Sequence, residues 1–256
     1  MPVRTTPWPT GTPCWVDLAV PDIKTAKEFY AAVLGWTYLD LGEEFGSYQI
    51  CQRDGHHAAG IGPKQSPDQP TAWTTYLASD AVDDTAKKIT ENGGTILAEP
   101  FDVPRSGRMC VALDSQGAAF GVWQAAESIG TEVFNEPGSL VWNEAAAPDA
   151  DAARKFYAAV FGYSYQPVEG AGEYTTFHRD GDPLGGMGGL GDKPPGTPPH
   201  WMVYFMVADT DAAVAAATDR GATLLGGPVD TPYGRMASVT DPQGATFSLM
   251  GATSST

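Results

Sequence analysis

The stretch CWVDLAVPDIKTAKEFYAAVLGW, residues 14–36, returns as VWNEAAAPDADAARKFYAAVFGY at residues 141–163. The two stretches align without a gap at an offset of 127 residues. The correspondence continues downstream, where Arg53-Asp54-Gly55 matches residues 179–181. Self-similarity at a fixed distance is the signature of a duplicated structural unit. The 256-residue chain is therefore predicted to hold two domains, residues 1–128 and 129–256.

Each half carries a weaker repeat of its own. A strand-like run from Trp15 to Val20 leads into a helix beginning near Asp22, and a second strand and helix of this kind begin about 58 residues later, at Trp73. Asp22 suits a helix N-cap and Gly35 a helix end. Short alternating runs separated by turn residues follow each helix. The resulting β-α-β-β-β pattern, present four times, predicts an α+β fold. Each half then forms an eight-stranded, half-open cup with helices outside.

Composition and charge exclude several classes of partner. The net charge is −16 and no basic cluster is present, which argues against nucleic acid and anionic membrane surfaces. The three cysteines, Cys14, Cys51 and Cys110, are odd in number and widely spaced, as expected of a protein in a reducing compartment. The opening MPVRTTP lacks the apolar core of a signal peptide, and no apolar run approaches the roughly 20 residues of a membrane span. We therefore expect a cytoplasmic protein.

Two motifs point to a family. The helix pattern D-x-x-x-A-x-x-F-Y-x-x-V-x-G-W/Y occurs at residues 22–36 and 149–163, and a closing D-x-Q-G-A-x-F strand occurs at residues 114–120 and 241–247. With the paired β-α-β-β-β modules, they resemble the vicinal oxygen chelate superfamily of glyoxalase I, bleomycin- and fosfomycin-resistance proteins and extradiol dioxygenases. The openings W-V-D-L and L-V-W-N-E are similar to those of actinobacterial two-domain glyoxalase-like proteins, often labelled hydroxylases or glyoxalases. The resemblance implies the cup fold, but one scaffold hosts unrelated chemistries.

The resemblance also implies where a metal would sit. Metal-using members hold a divalent ion in each cup with His and Glu ligands, which lets the ion act as a Lewis acid on two neighbouring oxygens. Carried over by motif, those positions are Trp15, Gly60, Thr74 and Gly121 in the first half and Trp142, Gly186, Met202 and Ser248 in the second. None of these side chains offers an imidazole, carboxylate or thiolate. We therefore predict no metal and no other cofactor.

The four histidines are not expected to replace that site. His56 and His57 are adjacent, so on a strand they point to opposite faces, and they follow a turn. His178 precedes the matching turn, and His200 stands at a predicted strand start. Surface or turn positions are expected for all four.

The residues that occupy the carried-over metal positions indicate an aromatic cup. If Trp15 and Trp142 still point inward, strand alternation brings Asp17 and Glu144 inward beside them. Arg108 and Arg235 open inward-running strands and are candidate partners for these carboxylates. The predicted ligand-binding set is Trp15, Asp17, Thr74, Tyr76, Arg108, Trp123, Trp142, Glu144, Met202, Tyr204, Arg235 and Met250. The alternative is that the tryptophans only fill core and the arginines form structural salt bridges.

Four functions remain open from the sequence. A metal-free protein could bind a small aromatic or apolar metabolite or antibiotic, because its cups are apolar with a few polar groups. A cofactor-free enzyme of secondary metabolism could use Asp17 or Glu144 as acid or base, since burial beside an indole raises the pKa of a carboxyl. A metal-dependent glyoxalase or dioxygenase is disfavoured by the ligand positions. An interaction protein with vestigial cups is the fourth. A monomer with pseudo-two-fold symmetry and a homodimer are both compatible with the duplication.

Overall fold

The computed structural model describes residues 3–191, 193 and 195–252, which form two eight-stranded sheets and four α-helices. The elements of the first half are β1 (Pro13–Val20), α1 (Ile23–Leu34), β2 (Thr37–Asp40), β3 (Gln49–Arg53), β4 (His56–Pro63), β5 (Trp73–Ala78), α2 (Val82–Glu91), β6 (Thr95–Val103), β7 (Gly107–Leu113) and β8 (Ala119–Ala125). Those of the second half are β9 (Leu140–Ala147), α3 (Ala150–Phe161), β10 (Ser164–Pro167), β11 (Thr175–His178), β12 (Pro183–Gly189), β13 (His200–Met206), α4 (Thr210–Thr218), β14 (Thr223–Thr231), β15 (Gly234–Thr240) and β16 (Thr246–Gly251).

The sheets confirm the predicted α+β architecture of two similar units. Their strand orders are β2-β3-β4-β1-β5-β8-β7-β6 and β10-β11-β12-β9-β13-β16-β15-β14, which are the same order in two successive parts of the chain. In each sheet two four-stranded modules meet at a central antiparallel pair, β1 with β5 and β9 with β13. Each sheet is therefore built from one half of the chain.

The helix ends are set by the residues that the sequence indicated. The Asp22 carboxylate accepts hydrogen bonds from the backbone N–H groups of Lys24 at 2.9 Å and Thr25 at 3.3 Å, and α1 ends at Gly35, whose φ is 70°. The carboxylate of Asp149 caps α3 in the same way, and Gly162 ends it with φ 76°. Glycine adopts the left-handed conformation at little energetic cost, which explains why both copies of the repeat have glycine at this position.

The helices pack on the side of each sheet opposite the cup, where they meet the other half. One core cluster joins Leu18 and Phe29 to Phe205 and Phe247. The other core cluster joins Phe120, on β8 of the first half, to Phe156 and Phe161, on α3 of the second half. Helix α1 contacts α4, and α2 contacts α3. Each sheet is thus formed within one half of the chain, whereas each of the two hydrophobic cores contains residues from both halves.

Reciprocal hydrogen bonds join the halves as an approximate two-fold axis requires. The buried Tyr30 hydroxyl donates to Asp241 at 2.9 Å, and the equivalent Tyr157 donates to Asp114 at 2.9 Å. Trp36 Nε1 donates to the carbonyl of Gly138 at 2.6 Å, and Tyr163, at the matching position, donates to the carbonyl of Gly11.

Of the expected surface or turn positions of the histidines, that of His178 needs correction. His56 and His57 both approach the Glu132 carboxylate of the segment between the halves, with Nδ1–O distances of 3.6 and 3.8 Å. Both side chains remain partly exposed, as expected. His178 is buried, with 7% of its surface exposed, and is bonded to Thr176 and Gly181. In the described part of the chain, no helix has the length and apolar character needed to cross a membrane.

Candidate functional site

Strand β1 divides its side chains between two faces. Val16, Leu18 and Val20 are buried in the core on the helix side. The alternate residues, Trp15 and Asp17, lie on the opposite, concave face. We call the concave faces of the β1–β8 and β9–β16 sheets the first cup and the second cup. Because of this alternation, Trp15 and Asp17 have the inward orientation that was predicted.

A hydrogen-bonded chain of aromatic side chains surrounds Asp17 in the first cup. Trp15 Nε1 donates to the Tyr48 hydroxyl at 3.0 Å, and that hydroxyl donates to Asp17 Oδ2 at 3.3 Å. The Tyr76 hydroxyl donates to the same oxygen at 3.0 Å. Although part of Asp17 still meets solvent, burial among these rings raises the pKa of its carboxyl to about 6, against the lowering effect of the two phenols. Trp123 completes the apolar lining.

The second cup repeats this arrangement with a longer carboxylate. Trp142 Nε1 donates to the Tyr174 hydroxyl at 2.9 Å, and the Tyr204 hydroxyl donates to Glu144 Oε1 at 2.8 Å. Burial and the nearby Glu144 carboxylate raise the pKa values of Tyr174 and Tyr204 well above their ordinary range. Unlike Trp15, which is 9% exposed, Trp142 is partly open to solvent, as is Glu144.

Tyr48 and Tyr174 were missed by the sequence reasoning, although a signal was present. Each stands five residues before an Arg-Asp-Gly turn, so the repeat pairs them. Glycine makes room for both rings. A Cβ at Gly60 would lie 1.8 Å from the Tyr48 hydroxyl oxygen, and one at Gly186 would lie 1.8 Å from that of Tyr174. A phenol therefore fills the space beside each of these predicted ligand positions.

The metal position that the resemblance implies on the last strand of each half, β8 or β16, differs between the cups. In the first cup it is Gly121, where a Cβ would lie 2.0 Å from Cδ1 of the Tyr76 ring. In the second cup it is Ser248, whose hydroxyl lies 2.9 Å from that of Ser238. The second cup therefore carries a hydroxyl pair where the first carries an aromatic ring packed on backbone.

The other predicted lining residues lie along the same strands. Thr74 pairs with Asp17, and Met202 with Glu144, in the central antiparallel ladders. Met250, at the position of Trp123, is partly exposed at the end of β16. Met250 is therefore more exposed than the indole of Trp123, of which 8% is exposed.

The donor set does not fit the metal that the family resemblance implies. The carried-over positions present indole, hydroxyl, thioether or no side chain, and each cup centre has a single carboxylate. Among residues 3–191, 193 and 195–252, no group of three or more His, Cys, Asp or Glu side chains is placed to hold an ion. A borderline or hard cation requires several nitrogen, oxygen or thiolate donors around one point.

The two arginines do not pair with the cup carboxylates, so that expectation is wrong. Arg108 binds Asp83 and Asp102, each at 2.8 Å. Arg235 binds Asp211 at 2.5 Å and Asp230 at 3.3 Å. Each guanidinium group is bound by one aspartate at the start of a helix, α2 or α4, and by one aspartate on an edge strand, β6 or β14. Asp17 and Glu144 are instead bonded to tyrosines.

His200 adds an imidazole to the second cup that the first cup lacks. It lies on the same face of β13 as Met202 and Tyr204, and the matching residue of the first half is Ala72. Its Nδ1 lies 2.8 Å from the Pro198 carbonyl, which can only accept, so Nδ1 carries the hydrogen. Burial, and to a smaller extent the charge of Lys193, lower the pKa of His200, and the Glu144 carboxylate partly opposes this.

A separate cavity of about 180 Å³ lies behind Trp123, lined by Trp8, Cys14 and Asp80 among others. It is formed by the N-terminal segment and the end of β8, and it does not extend over Asp17. Burial raises the pKa of the Cys14 thiol far above its usual range, which disfavours the reactive thiolate.

Comparison with known proteins agrees with the fold and the repeated cups. The sequence profile of the Glyoxalase/Bleomycin resistance protein/Dioxygenase superfamily matches residues 13–122 and again residues 123–249. The chain belongs to this superfamily. It is 40% identical over 248 residues to "Putative glyoxylase CFP32" of Mycobacterium tuberculosis (strain CDC 1551 / Oshkosh), covering 94% of each chain. It is 36% identical over 258 residues to "Anthracycline biosynthesis protein DauV" of Streptomyces sp. (strain C5), covering 94% of this chain and 93% of that one.

Solved structures of superfamily enzymes share the fold at low sequence identity. The Mn(II)-bound glyoxalase from Novosphingobium aromaticivorans superimposes with a TM-score of 0.65 at 17% identity, covering 96% of this chain and 84% of that one. The 2,3-dioxygenase LapB from Pseudomonas sp. KL28 gives 0.63 at 14% identity, covering 96% and 94%. These likenesses concern the fold alone.

Proposed function

We propose that this glyoxalase-like protein binds a small, planar, largely apolar molecule in its cups without a metal ion. The observation that carries the proposal is the repeated Trp-Tyr-carboxylate arrangement at the centre of both cups. Indole and phenol rings offer stacking surfaces, and one carboxylate with its tyrosine donors fixes orientation, which is the composition of a small-molecule site.

The comparisons support this class of ligand. A relative covering nearly the whole chain is named as a protein of anthracycline biosynthesis. The fused rings of an anthracycline have the shape and apolar character that an indole-lined cup accommodates. The exposed apolar residues at the open edges of the cups, Phe101 on β6 and Val229 on β14, extend the apolar surface.

Binding of acridine, a planar tricyclic probe, tests the proposal. We expect acridine to quench tryptophan fluorescence and raise the melting temperature, and Trp15→Phe or Trp142→Phe to weaken binding several-fold. An aromatic stacking contact contributes roughly 0.5–1.5 kcal/mol beyond area burial. Phenylalanine keeps most of the packing, so a loss of binding in a variant that melts cooperatively reports the contact. Unchanged affinity in both variants and in Asp17→Asn and Glu144→Gln would contradict the proposal and favour an interaction protein.

The metal requirement is tested separately. We expect purified protein to contain no stoichiometric zinc, nickel, iron or manganese, and acridine binding to survive chelation. Elemental analysis that finds about one ion per cup, removed together with a measured activity, would contradict this expectation.

An enzyme without a cofactor is the second candidate, and the Asp17 carboxyl is the observation in its favour. A pKa of about 6 lets this group exchange a proton near neutral pH, and its two phenol partners hold it in place. Turnover of a bound ligand with a pH profile that is lost in Asp17→Asn would distinguish this enzyme from a binding protein.

A further inference from the structure

The carboxylate of Glu144 lies in the second cup without a counter-charge. It accepts a hydrogen bond from the Tyr204 hydroxyl at 2.8 Å, the Tyr174 hydroxyl lies nearby, and it forms no ion pair with any of the described residues. Part of its surface remains in contact with solvent. Enclosing a carboxylate beneath a ligand without a compensating charge is costly.

The nearby cations do not neutralise Glu144. Arg235, on the same sheet, is held by Asp211 and Asp230. Lys193 lies close enough to His200 to affect its pKa but forms no ion pair with Glu144. His200 itself is kept toward its neutral form by burial. The protein's net charge of −16 adds a long-range attraction for cations.

The first cup treats its carboxylate differently. Asp17 accepts hydrogen bonds from two phenols on one oxygen, at 3.3 Å from Tyr48 and 3.0 Å from Tyr76. Its raised pKa, about 6, means that it gains a proton more readily than an ordinary aspartate. The first cup is therefore suited to neutral ligands that exchange hydrogen bonds.

Aromatic rings flank Glu144 as well. Tyr204 of the neighbouring strand β13 contacts it directly, and Trp142 lies two residues away on the same strand, β9. The Trp142 partner, Tyr174, places its hydroxyl against Gly186, which pairs with Glu144 on the other side of β9. A cation over an indole or phenol face is attracted by the ring quadrupole, more strongly when water is excluded.

We infer that the second cup selects planar aromatic ligands that carry a positively charged amine, with Glu144 as the counter-ion and the Trp142 and Tyr204 rings beside it. This inference rests on the proposed binding function and names the ligand class of one of its two sites. It assigns different specificities to two cups that arose by duplication.

Two probes of the same ring shape test it. Acridine is neutral at pH 7.5, and 9-aminoacridine is a cation at that pH. We expect Glu144→Gln to lower the affinity for 9-aminoacridine about tenfold or more, because a charge-assisted contact is lost, and to change that for acridine less than twofold. Glu144→Asp keeps the charge and should retain most of the preference. Glu169→Gln, which removes one exposed carboxylate from the same half, is the matched control.

Calorimetric titration at pH 7.5, with melting curves of each variant, separates the outcomes. Equal losses for both probes in Glu144→Gln, or a loss of 9-aminoacridine binding in Asp17→Asn instead, would overturn the inference while leaving a binding protein. If neither probe binds the unmodified protein, the proposed function fails as well. A tenfold loss confined to the cation, with the Glu169→Gln control unchanged, supports the inference.

Discussion

The first and second cups share the arrangement of their central side chains but differ in how exposed the tryptophan is. The Trp15–Tyr48 and Tyr76–Asp17 hydrogen bonds of the first cup correspond to the Trp142–Tyr174 and Tyr204–Glu144 hydrogen bonds of the second. In the first cup the rings enclose a short carboxylate, and its pKa rises to about 6. In the second cup a longer carboxylate lies beside an indole that is partly open to solvent. Duplication has therefore preserved hydrogen-bond connectivity while the electrostatic character diverged.

The largest expected difference between the cups is the cost of removing the indole. Trp15→Ala should lower the free energy of unfolding by about 3–5 kcal/mol, because Trp15 is nearly buried and holds Tyr48. Trp142→Ala should cost roughly half as much, since its ring is already partly solvated. Urea unfolding of both variants measures this. Equal losses would show that the two cups are equally closed.

The pH dependence of stability should carry a contribution from Asp17. The folded protein raises the pKa of this carboxyl from 3.8 to about 6, so its stabilising effect is complete below about pH 4. It is then lost as the pH rises through 6. Asp17→Asn should remove this decline, which amounts to at most about 3 kcal/mol. The free energy of unfolding measured from pH 4 to 8 tests this, with Glu144→Gln as the matched change in the other cup. A decline that persists in Asp17→Asn would mean that another group causes it.

An exchange at the last-strand position should also affect the cups unequally. Gly121→Ser places a Cβ against the Tyr76 ring and should destabilise the protein by about 1–3 kcal/mol, because the ring must leave its place beside Asp17. Ser248→Gly only removes one hydroxyl of a pair and should cost about 1 kcal/mol. Thermal melting compares the two. A harmless Gly121→Ser would show that Tyr76 moves freely.

The smallest expected effect comes from the phenol hydroxyls. Tyr48→Phe leaves the buried Trp15 N–H without its acceptor and should cost about 1–2 kcal/mol. Tyr174→Phe should cost about 0.5 kcal/mol, because water can reach the more exposed Trp142. Both losses can be read from chemical unfolding. A larger loss in Tyr174→Phe would reverse the ranking of the two cups.

The sequence predicted the fold well because its strongest signals are local. The repeated helix, its Asp22 cap and its Gly35 end specify an element within a few residues, and alternation along β1 assigns Trp15 and Asp17 to one face. The partners of the site residues were harder to predict. Alternation shows which face a side chain occupies, but not that Tyr48 reaches Asp17 or that Arg108 turns to Asp83. Those choices depend on how distant strands and helices meet.

The sharing of the two cores has a consequence for synthesis of the chain. Asp241, the hydrogen-bond partner of Tyr30, leaves the ribosome 211 residues after it, and Phe247 of the same core is made later still. Until then the apolar face of α1 has no complete partner, and such long-range closure is slow and exposes the nascent chain to aggregation. A premature stop just before β16 would therefore remove core residues that pack against α1. Although most of the sequence would remain, the packing of the first helix as well as that of the second sheet would be lost.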